Sequence, residues 1–498
     1  MSQLDADCLN EIFGCLEKDN ATLYSCLLVN RFWCQVSVRI LWKEPNASTK
    51  VLNTLIICLP DESKNFLYNN GIILAPNLKS LYAPDDYLCK KEIISAPTWK
   101  PPLFNYVSYC KVLSIYKIHS IVKLFLTNNQ QSINTKKNIN LLTQEILKMF
   151  MSVSLLTKLS YTCDVDYSSK IKDLKISDRI TFVHSSGARY CLTNLSEFTC
   201  TSNINSEVLN QLSKICHNIQ SLNIRFNKYA DTVSNGLKDL ISSQNNLKSL
   251  SIYYESYHWA DIIPSLMKHS DTLIKLSIKG EENHWPLSFI KVFNNLQELN
   301  ISLSFINEDE DFEYFKDLQH FTFPHLRKLN VNLPTKFEPI VVKFLENNGE
   351  NLEEFQSRCK CKNSSINRAV NDHCPKLKSL HTIFGENLSG LLLRNIFKKC
   401  KKLESIEIFR RGSNLSGKEL LKIVAENSPK NFHELKFHNY YAELDVEDLK
   451  SFFISWKKRN PQKSLTLNFK NVGSKKNNEM KEIINEYEKI GVIKILKV

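Results

Sequence analysis

Long apolar runs are scarce in this 498-residue sequence. The nearest candidate, residues 51–59, is much shorter than the ~20 residues that a membrane-spanning helix needs. The N-terminus has neither a basic segment nor a long apolar stretch, so we expect no secretory signal. These absences predict a cytoplasmic or nuclear protein without a membrane partner.

Paired cysteines are lacking as well. The fifteen cysteines are odd in number and scattered along the chain, which indicates free thiols in a reducing compartment. Cys359 and Cys361, together with His373 and Cys374, are four potential zinc ligands. Their spacing differs from that of common structural zinc sites, so we expect no metal and no other cofactor.

Motifs of enzyme chemistry are absent too. The sequence contains no G-x-S-x-G, no H-E-x-x-H and no dinucleotide-binding pattern. Residues 412–419 come close to a phosphate-binding loop. Glu419, however, stands where a Ser or Thr would hold magnesium, and its charge would repel phosphate. We therefore expect that the protein is not an enzyme.

Clustered positive charge is also missing. The net charge of +13 arises from 65 basic and 52 acidic residues, but the lysines are dispersed, with only short runs at 398–402 and 457–459. No basic stripe with interleaved aromatic residues appears, and such a stripe is typical of nucleic-acid binding. We do not expect nucleic acid as a partner.

What the sequence does contain is a repeat. The frame L-x-x-L-x-L, with conservative replacements, recurs at spacings of 23 to 30 residues, close to the roughly 20–29 residues of a leucine-rich repeat. The alternation L-x-L predicts a strand with one buried face, and a helical pattern follows before the next frame. The frames begin at 195, 219, 247, 273, 296, 326, 352, 377, 403 and 432.

These frames resemble cysteine-containing leucine-rich repeats, because Cys216, Cys374 and Cys400 precede three of them. The resemblance implies an α/β solenoid, a horseshoe of alternating strands and helices over residues 191–498. A helix over 480–490 and a last strand are expected to cap its end.

Residues 45–190 are interpreted as degenerate early repeats or a linker region. Strand-like frames there start at Leu78, Cys110 and Leu156, and 128–140 is predicted to be a polar surface loop.

Residues 1–44 predict a separate helical module. Leu9, Ile12, Phe13 and Leu16 fall on one face of a first helix. A second helix is expected from about residue 20, and a third up to about residue 41, with Asn30 breaking the run between them. The apolar residues cover more than one face of such short helices, which indicates a surface for a partner.

This segment, from Leu4 to Trp42, resembles an F-box, including the stretch L-L-V-N-R-F-W at 27–33. It departs from the family at Asp5, where a proline is usual. The resemblance implies a three-helix module that binds the Skp-type adaptor of a cullin-RING ubiquitin ligase. The implied adaptor-binding residues are Leu4, Leu9, Ile12, Phe13, Leu16, Leu27 and Trp33.

Together, the two resemblances predict the substrate-recognition subunit of an SCF-type E3 ubiquitin ligase, whose repeats bind a target protein. The alternative is a leucine-rich-repeat scaffold or binding protein with no role in a ligase. The residues between the inward-facing leucines should lie on the concave sheet, where solenoids bind partners. The candidates for target binding are Arg225, Tyr253, Lys279, Arg358, His381, Phe409 and His438.

Overall fold

The computed structural model describes most of the chain: residues 5–76, 92–96, 102–129, 135–162, 181–226, 233–254, 257–280, 287–303, 315–358, 364–384, 389–410, 415–438, 444–459, 463–468 and 477–495. The chain divides into two compact units, 1–247 and 248–498. Among the described helices, none combines the length and the apolar character needed to cross a membrane.

The first unit starts with three short helices and continues into the first strands of the repeat. Its helices are α1 (Ala6–Gly14), α2 (Asn20–Cys26), α3 (Arg31–Leu41), α4 (Thr49–Cys58), α5 (Asp61–Asn69), α6 (Ile115–Asn129), α7 (Thr135–Val153), α8 (Ala188–Leu192), α9 (Ser206–Ile215) and α10 (Asn235–Ser242). Its strands are β1 (Ile72–Pro76), β2 (Glu92–Ala96), β3 (Val112–Ser114), β4 (Lys158–Ser160), β5 (Glu197–Thr201) and β6 (Ser221–Phe226). β1 and β2 form a separate parallel pair, and β3 to β6 follow one another in a parallel sheet.

The second unit is a parallel sheet in which each strand lies beside the next one along the chain. Its strands are β7 (Ser249–Tyr254), β8 (Lys275–Gly280), β9 (Glu298–Leu303), β10 (Lys328–Asn332), β11 (Glu354–Ser357), β12 (Ser379–Phe384), β13 (Ser405–Arg410), β14 (Glu434–His438), β15 (Leu465–Asn468) and β16 (Ile493–Ile495). Its helices are α11 (Ile263–Leu266), α12 (Glu338–Asn348), α13 (Ser365–His373), α14 (Ser389–Lys399), α15 (Gly417–Asn427), α16 (Val446–Lys457) and α17 (Asn477–Lys489). The architecture is a leucine-rich-repeat solenoid.

The repeat frame explains both the strands and their stacking. Along β9, Leu299, Ile301 and Leu303 are buried while the residues between them are half-buried, as expected for a strand with one face in the core. At the start of each strand from β8 to β14, two consecutive backbone N–H groups donate to one carbonyl of the preceding repeat. At β9 these are Gln297 and Glu298, which lie 2.8 and 3.0 Å from the carbonyl oxygen of Ile274.

Buried side chains complete the hydrogen bonds of the turns between repeats. Asn348 accepts from the N–H of Phe323 and donates to the carbonyls of Phe321 and Phe344, at 2.6 to 2.9 Å. The Cys400 thiol donates to the carbonyl of the equivalent Cys374, one repeat earlier, at 3.3 Å. Backbone groups that no strand can pair are therefore satisfied by polar atoms inside the stack.

The ten frames predicted between 195 and 432 all begin strands, β5 to β14, and the predicted end is present as α17 and β16. The frames at Cys110 and Leu156 carry β3 and β4, whereas the one at Leu78 lies outside the described residues. β15 was not predicted.

Two expectations about connecting segments need correction. Residues 128–140 were predicted as a polar loop, but 128–129 end α6 and 135–140 begin α7. Polar residues there occupy helix termini. Among the described residues that follow β7 and β8, the expected helix is largely replaced by short 3-10 turns at Tyr257–Ile262 and Leu287–Val292.

Candidate partner-binding surfaces

The first surface belongs to the three N-terminal helices, whose small core is formed by buried residues from all three. Leu9 and Phe13 of α1 pack with Leu23 of α2, and Trp33 of α3 packs edge-on against Phe13 at 5.1 Å between ring centroids. Asp19 caps α2 and Asn30 caps α3 by accepting from backbone N–H groups three residues ahead. The capping at Asn30 explains the break that the sequence shows there.

Large apolar side chains remain exposed on the outside of this module. Leu28 is 88% exposed, Tyr24 and Val29 are each 56% exposed, and Ile12 is 48% exposed. We call these four residues the N-terminal apolar surface. Isolated exposed apolar residues are ordinary, whereas four within one short segment are a candidate contact surface.

The structure separates the predicted adaptor-binding residues into two groups. Leu9 and Phe13 are buried in the module, and Leu16 and Trp33 are partly buried against the same core. Ile12 is exposed and Leu27 is half-buried. Leu4 lies outside the described residues. The sequence pattern did not identify Tyr24, Leu28 and Val29 as surface residues. They fall outside the apolar stripes of the helices, and that is the signal that could have placed them outside the core.

The module is fixed to the first strand of its own unit. The carbonyl of Lys43 accepts from the N–H groups of Lys111 and Val112 at 2.9 and 3.0 Å, the same pattern that joins successive repeats. Trp42 packs on Tyr106 with ring centroids 4.7 Å apart. The end of α3 therefore occupies the place of a preceding repeat.

The second surface is the face of the second unit's sheet that carries the half-buried or exposed alternate residues, which we call the open face. The strand register arranges these residues in three rows. For β7 to β11, the first row is Ser249, Lys275, Glu298, Lys328 and Glu354. The middle row is Ser251, Ser277, Asn300, Asn330 and Gln356. In β7 to β10, the third row is Tyr253, Lys279, Ser302 and Asn332, and Arg358 directly follows β11.

The charges of the first row are paired with one another. Lys275 lies 3.0 Å from Glu298, and Lys328 lies 2.8 Å from Glu354. The hydrogen bond to Glu354 raises the pKa of Lys328. All four side chains are substantially solvated, so each pair contributes little to stability. Their effect is that the first row presents no net charge to a partner.

The first and middle rows line a groove of about 350 Å³ that extends from β7 to β12. Its floor consists of hydroxyl and amide side chains, together with His381 at the β12 end. A groove of this size with uncharged hydrogen-bonding groups is suited to a polar segment of another molecule.

At the β12 end of the groove, one carboxylate contacts two imidazole rings. Glu407 lies 3.1 Å from Nδ1 of His381 and 2.9 Å from Nε2 of His438. Phe409 stacks on His438, with ring centroids 4.1 Å apart and planes 6° from parallel, and the Arg358 guanidinium lies 5.7 Å from the Phe409 centroid. Burial lowers the pKa of His381, and the opposing effect of Glu407 is smaller.

The predicted target-binding residues are therefore only partly brought together. His381, Phe409, His438 and Arg358 form the group around Glu407, while Tyr253 and Lys279 are opposite each other on β7 and β8. Arg225 belongs to β6 of the first unit. Sequence reasoning did not select the amide residues of the middle row, although they are the residues between the two leucine positions of each L-x-L.

Two other sequence features have structural roles. Lys418 of the phosphate-loop-like segment lies 2.8 Å from Asp448, and Ser416 caps the following helix α15. Cys359 and Cys361 of the potential zinc set lie outside the described residues, and Cys374 is buried within the repeat. Within the part of the chain that the structure describes, no three His, Cys, Asp or Glu residues are grouped to hold a metal.

No protein-family model and no curated protein matches this sequence. Among solved structures, a chain in the crystal structure of the Rad7 and Elc1 complex in yeast is 14% identical, with a TM-score of 0.42; 75% of this chain and 81% of that chain are covered. The leucine-rich repeat-containing protein LegL7 from Legionella pneumophila is 15% identical, with a TM-score of 0.35; 64% of this chain and 96% of that chain are covered. Likeness this distant carries no argument about function.

Proposed function

We propose that the protein is a non-enzymatic substrate-recognition subunit of an SCF-type E3 ubiquitin ligase. The N-terminal helices, which resemble an F-box, bind the Skp-type adaptor, and the open face of the repeats binds a target protein. The observation that carries the proposal is the N-terminal apolar surface, exposed on a helical module that is fixed to a repeat sheet.

Side-chain exposure favours particular residues as the adaptor contacts in this proposal. Ile12, Leu28 and Val29 are accessible, whereas Leu9 and Phe13 support them from the core. Apolar interfaces bind through a few well-buried side chains, so the exposed residues are the direct contacts in this proposal. The buried ones act by holding the helices together.

The test is adaptor capture by the full-length protein carrying Ile12→Asp and Leu28→Asp. Burying carboxylates in an apolar interface costs several kcal/mol, so we expect adaptor affinity to fall by roughly a hundredfold or more. The matched control is Leu391→Asp with Ile454→Asp. These two aliphatic residues are 56% and 46% exposed and lie on α14 and α16. This control should bind the adaptor like the unmodified protein.

Adaptor binding that survives in a folded Ile12→Asp, Leu28→Asp protein would contradict the ligase role. If no version of the protein binds the adaptor while a target is still captured, the chain is a leucine-rich-repeat scaffold without a ligase. Circular dichroism and the unfolding midpoint of each variant establish that the fold is intact.

A further inference from the structure

The middle row of the open face has unused hydrogen-bonding capacity. Ser251, Ser277, Asn330 and Gln356 make no side-chain hydrogen bond among the described residues. In the same row, Oδ1 of Asn300 is buried without a partner. The ions of the first row, in contrast, are paired with one another. Unsatisfied polar groups in a groove are expected to be met by a ligand or by water.

The chemistry and length of this row suit the main chain of a peptide. Asn and Gln side chains each carry donors and an acceptor, so they can bond both the N–H and the C=O of a backbone. From β7 to β11 the row crosses four strand spacings, about 19 Å, which an extended chain of about six residues would span.

Charge on the neighbouring row indicates the side chains that such a peptide carries. Among the described third-row positions from β7 to β11, the charged residues are Lys279 and Arg358, and both are basic. The carboxylate of Glu407 at the far end is engaged by two imidazoles. Along the row from β7 to β11, the charges without a counter-ion are therefore positive.

We propose that this groove binds an extended peptide segment with acidic side chains, holding its main chain through the middle row and its carboxylates through Lys279 and Arg358. The identification of that peptide as part of a ubiquitination target rests on the proposed function. The binding chemistry itself does not.

The experiment exposes the full-length protein to beads that each display one random nonapeptide, and the peptides on the bound beads are sequenced. We expect Asp and Glu to be enriched at least threefold over the starting library. Resynthesis of recovered peptides with N-methylated backbone amides should weaken binding at least tenfold, because the main-chain donors are removed. Failure to recover peptides, or recovery without acidic enrichment, overturns the proposal.

Variants separate the two contributions, with controls away from the sheet. Asn330→Ala with Gln356→Ala should weaken recovered peptides at least tenfold, whereas Gln319→Ala with Asn395→Ala, an amide pair outside the strands, should not. Lys279→Glu with Arg358→Glu should transfer the preference to basic peptides. The control is Lys398→Glu with Lys422→Glu, on α14 and α15, which should keep the preference for acidic peptides.

The outcome is distinguishable from that of the ligase test. Peptide binding by a protein that never captures the adaptor supports the groove and contradicts the ligase role. Adaptor capture by a protein whose groove variants bind peptides like the unmodified chain contradicts the groove and leaves the ligase role standing.

Discussion

At the scale of the residue, two effects act in opposite directions on the pKa of His381. It is partly buried on the open face, which disfavours the charged imidazolium, and it contacts Glu407, which favours it. Burial is the larger effect, so the pKa of His381 lies below its usual value of about 6.5. The ring is therefore mostly neutral near pH 7 and can donate to or accept from a neighbour.

A pH titration checks this balance. The folded pKa is lower than the unfolded one, so the contribution of His381 to stability is fully present above about pH 6.5 and is lost as the pH falls through the folded pKa. In Glu407→Gln the favourable carboxylate is gone, and the pKa of His381 should fall further. NMR of ¹³C-labelled histidine measures both values, with His381→Gln assigning the signal. A higher pKa in Glu407→Gln would refute this account.

At the scale of the element, the turns between repeats depend on single buried amides. Asn348 at the end of α12 satisfies one N–H and two carbonyls in the segment before β10 and in its own helix. No strand pairing is available to these backbone groups. The amide therefore links the segment before β10 to the helix α12 of the next repeat.

We predict that Asn348→Ala destabilises the second unit by about 2 kcal/mol, because it leaves buried backbone groups without partners. The adjacent Asn347 donates to the carbonyl of Gln319 from an exposed position, so Asn347→Ala should change stability by less than about 0.5 kcal/mol. Urea unfolding measures both. Hydrogen exchange of the Phe323 amide should increase in the first variant only, and equal effects of the two substitutions would contradict this role.

Strands whose frame has an apolar residue in the first position could be predicted from the sequence, and β15, which lacks one, could not. β8 was found because Leu273, Leu276 and Ile278 keep the frame, whereas β15 has Leu465 and Leu467 but Gln462 in the first position. Register then followed from repetition, since equivalent frame positions pair in successive strands. The connecting segments were predicted less well, because the frame specifies the strands and leaves the residues between them unspecified.

The candidate surfaces, too, could be predicted only in part from the sequence. Alternation within L-x-L correctly placed His381, Phe409 and His438 on the face opposite the buried leucines. It did not show that Glu407 on β13 contacts His381 of β12 and His438 of β14, because side-chain contacts between neighbouring strands are not specified by the repeat frame. In the N-terminal helices, the apolar stripe identified the core, and only packing revealed which apolar residues stay outside it.

At the scale of the whole molecule, several contacts attach the N-terminal module to the rest of the first unit. Besides the backbone bonds to Lys43, the Trp42–Tyr106 contact and the ion pair of Lys117 with Glu44 at 3.1 Å join it to the segment around β3. In the proposed ligase, a receptor contributes orientation rather than chemistry. A fixed module should then limit which lysines receive ubiquitin.

We predict that Trp42→Ala with Tyr106→Ala loosens this attachment without removing the N-terminal apolar surface. In a reconstituted ligase with the adaptor, the unmodified protein should be ubiquitinated on a small, reproducible set of its own lysines, identified by mass spectrometry. The variant should bind the adaptor with unchanged affinity but accept ubiquitin on a broader set, because its orientation is less restricted. Tyr68→Ala with Tyr190→Ala, which are 50% and 64% exposed, is the aromatic control. An identical set of lysines in the variant and the unmodified protein would show that the attachment does not orient the receptor.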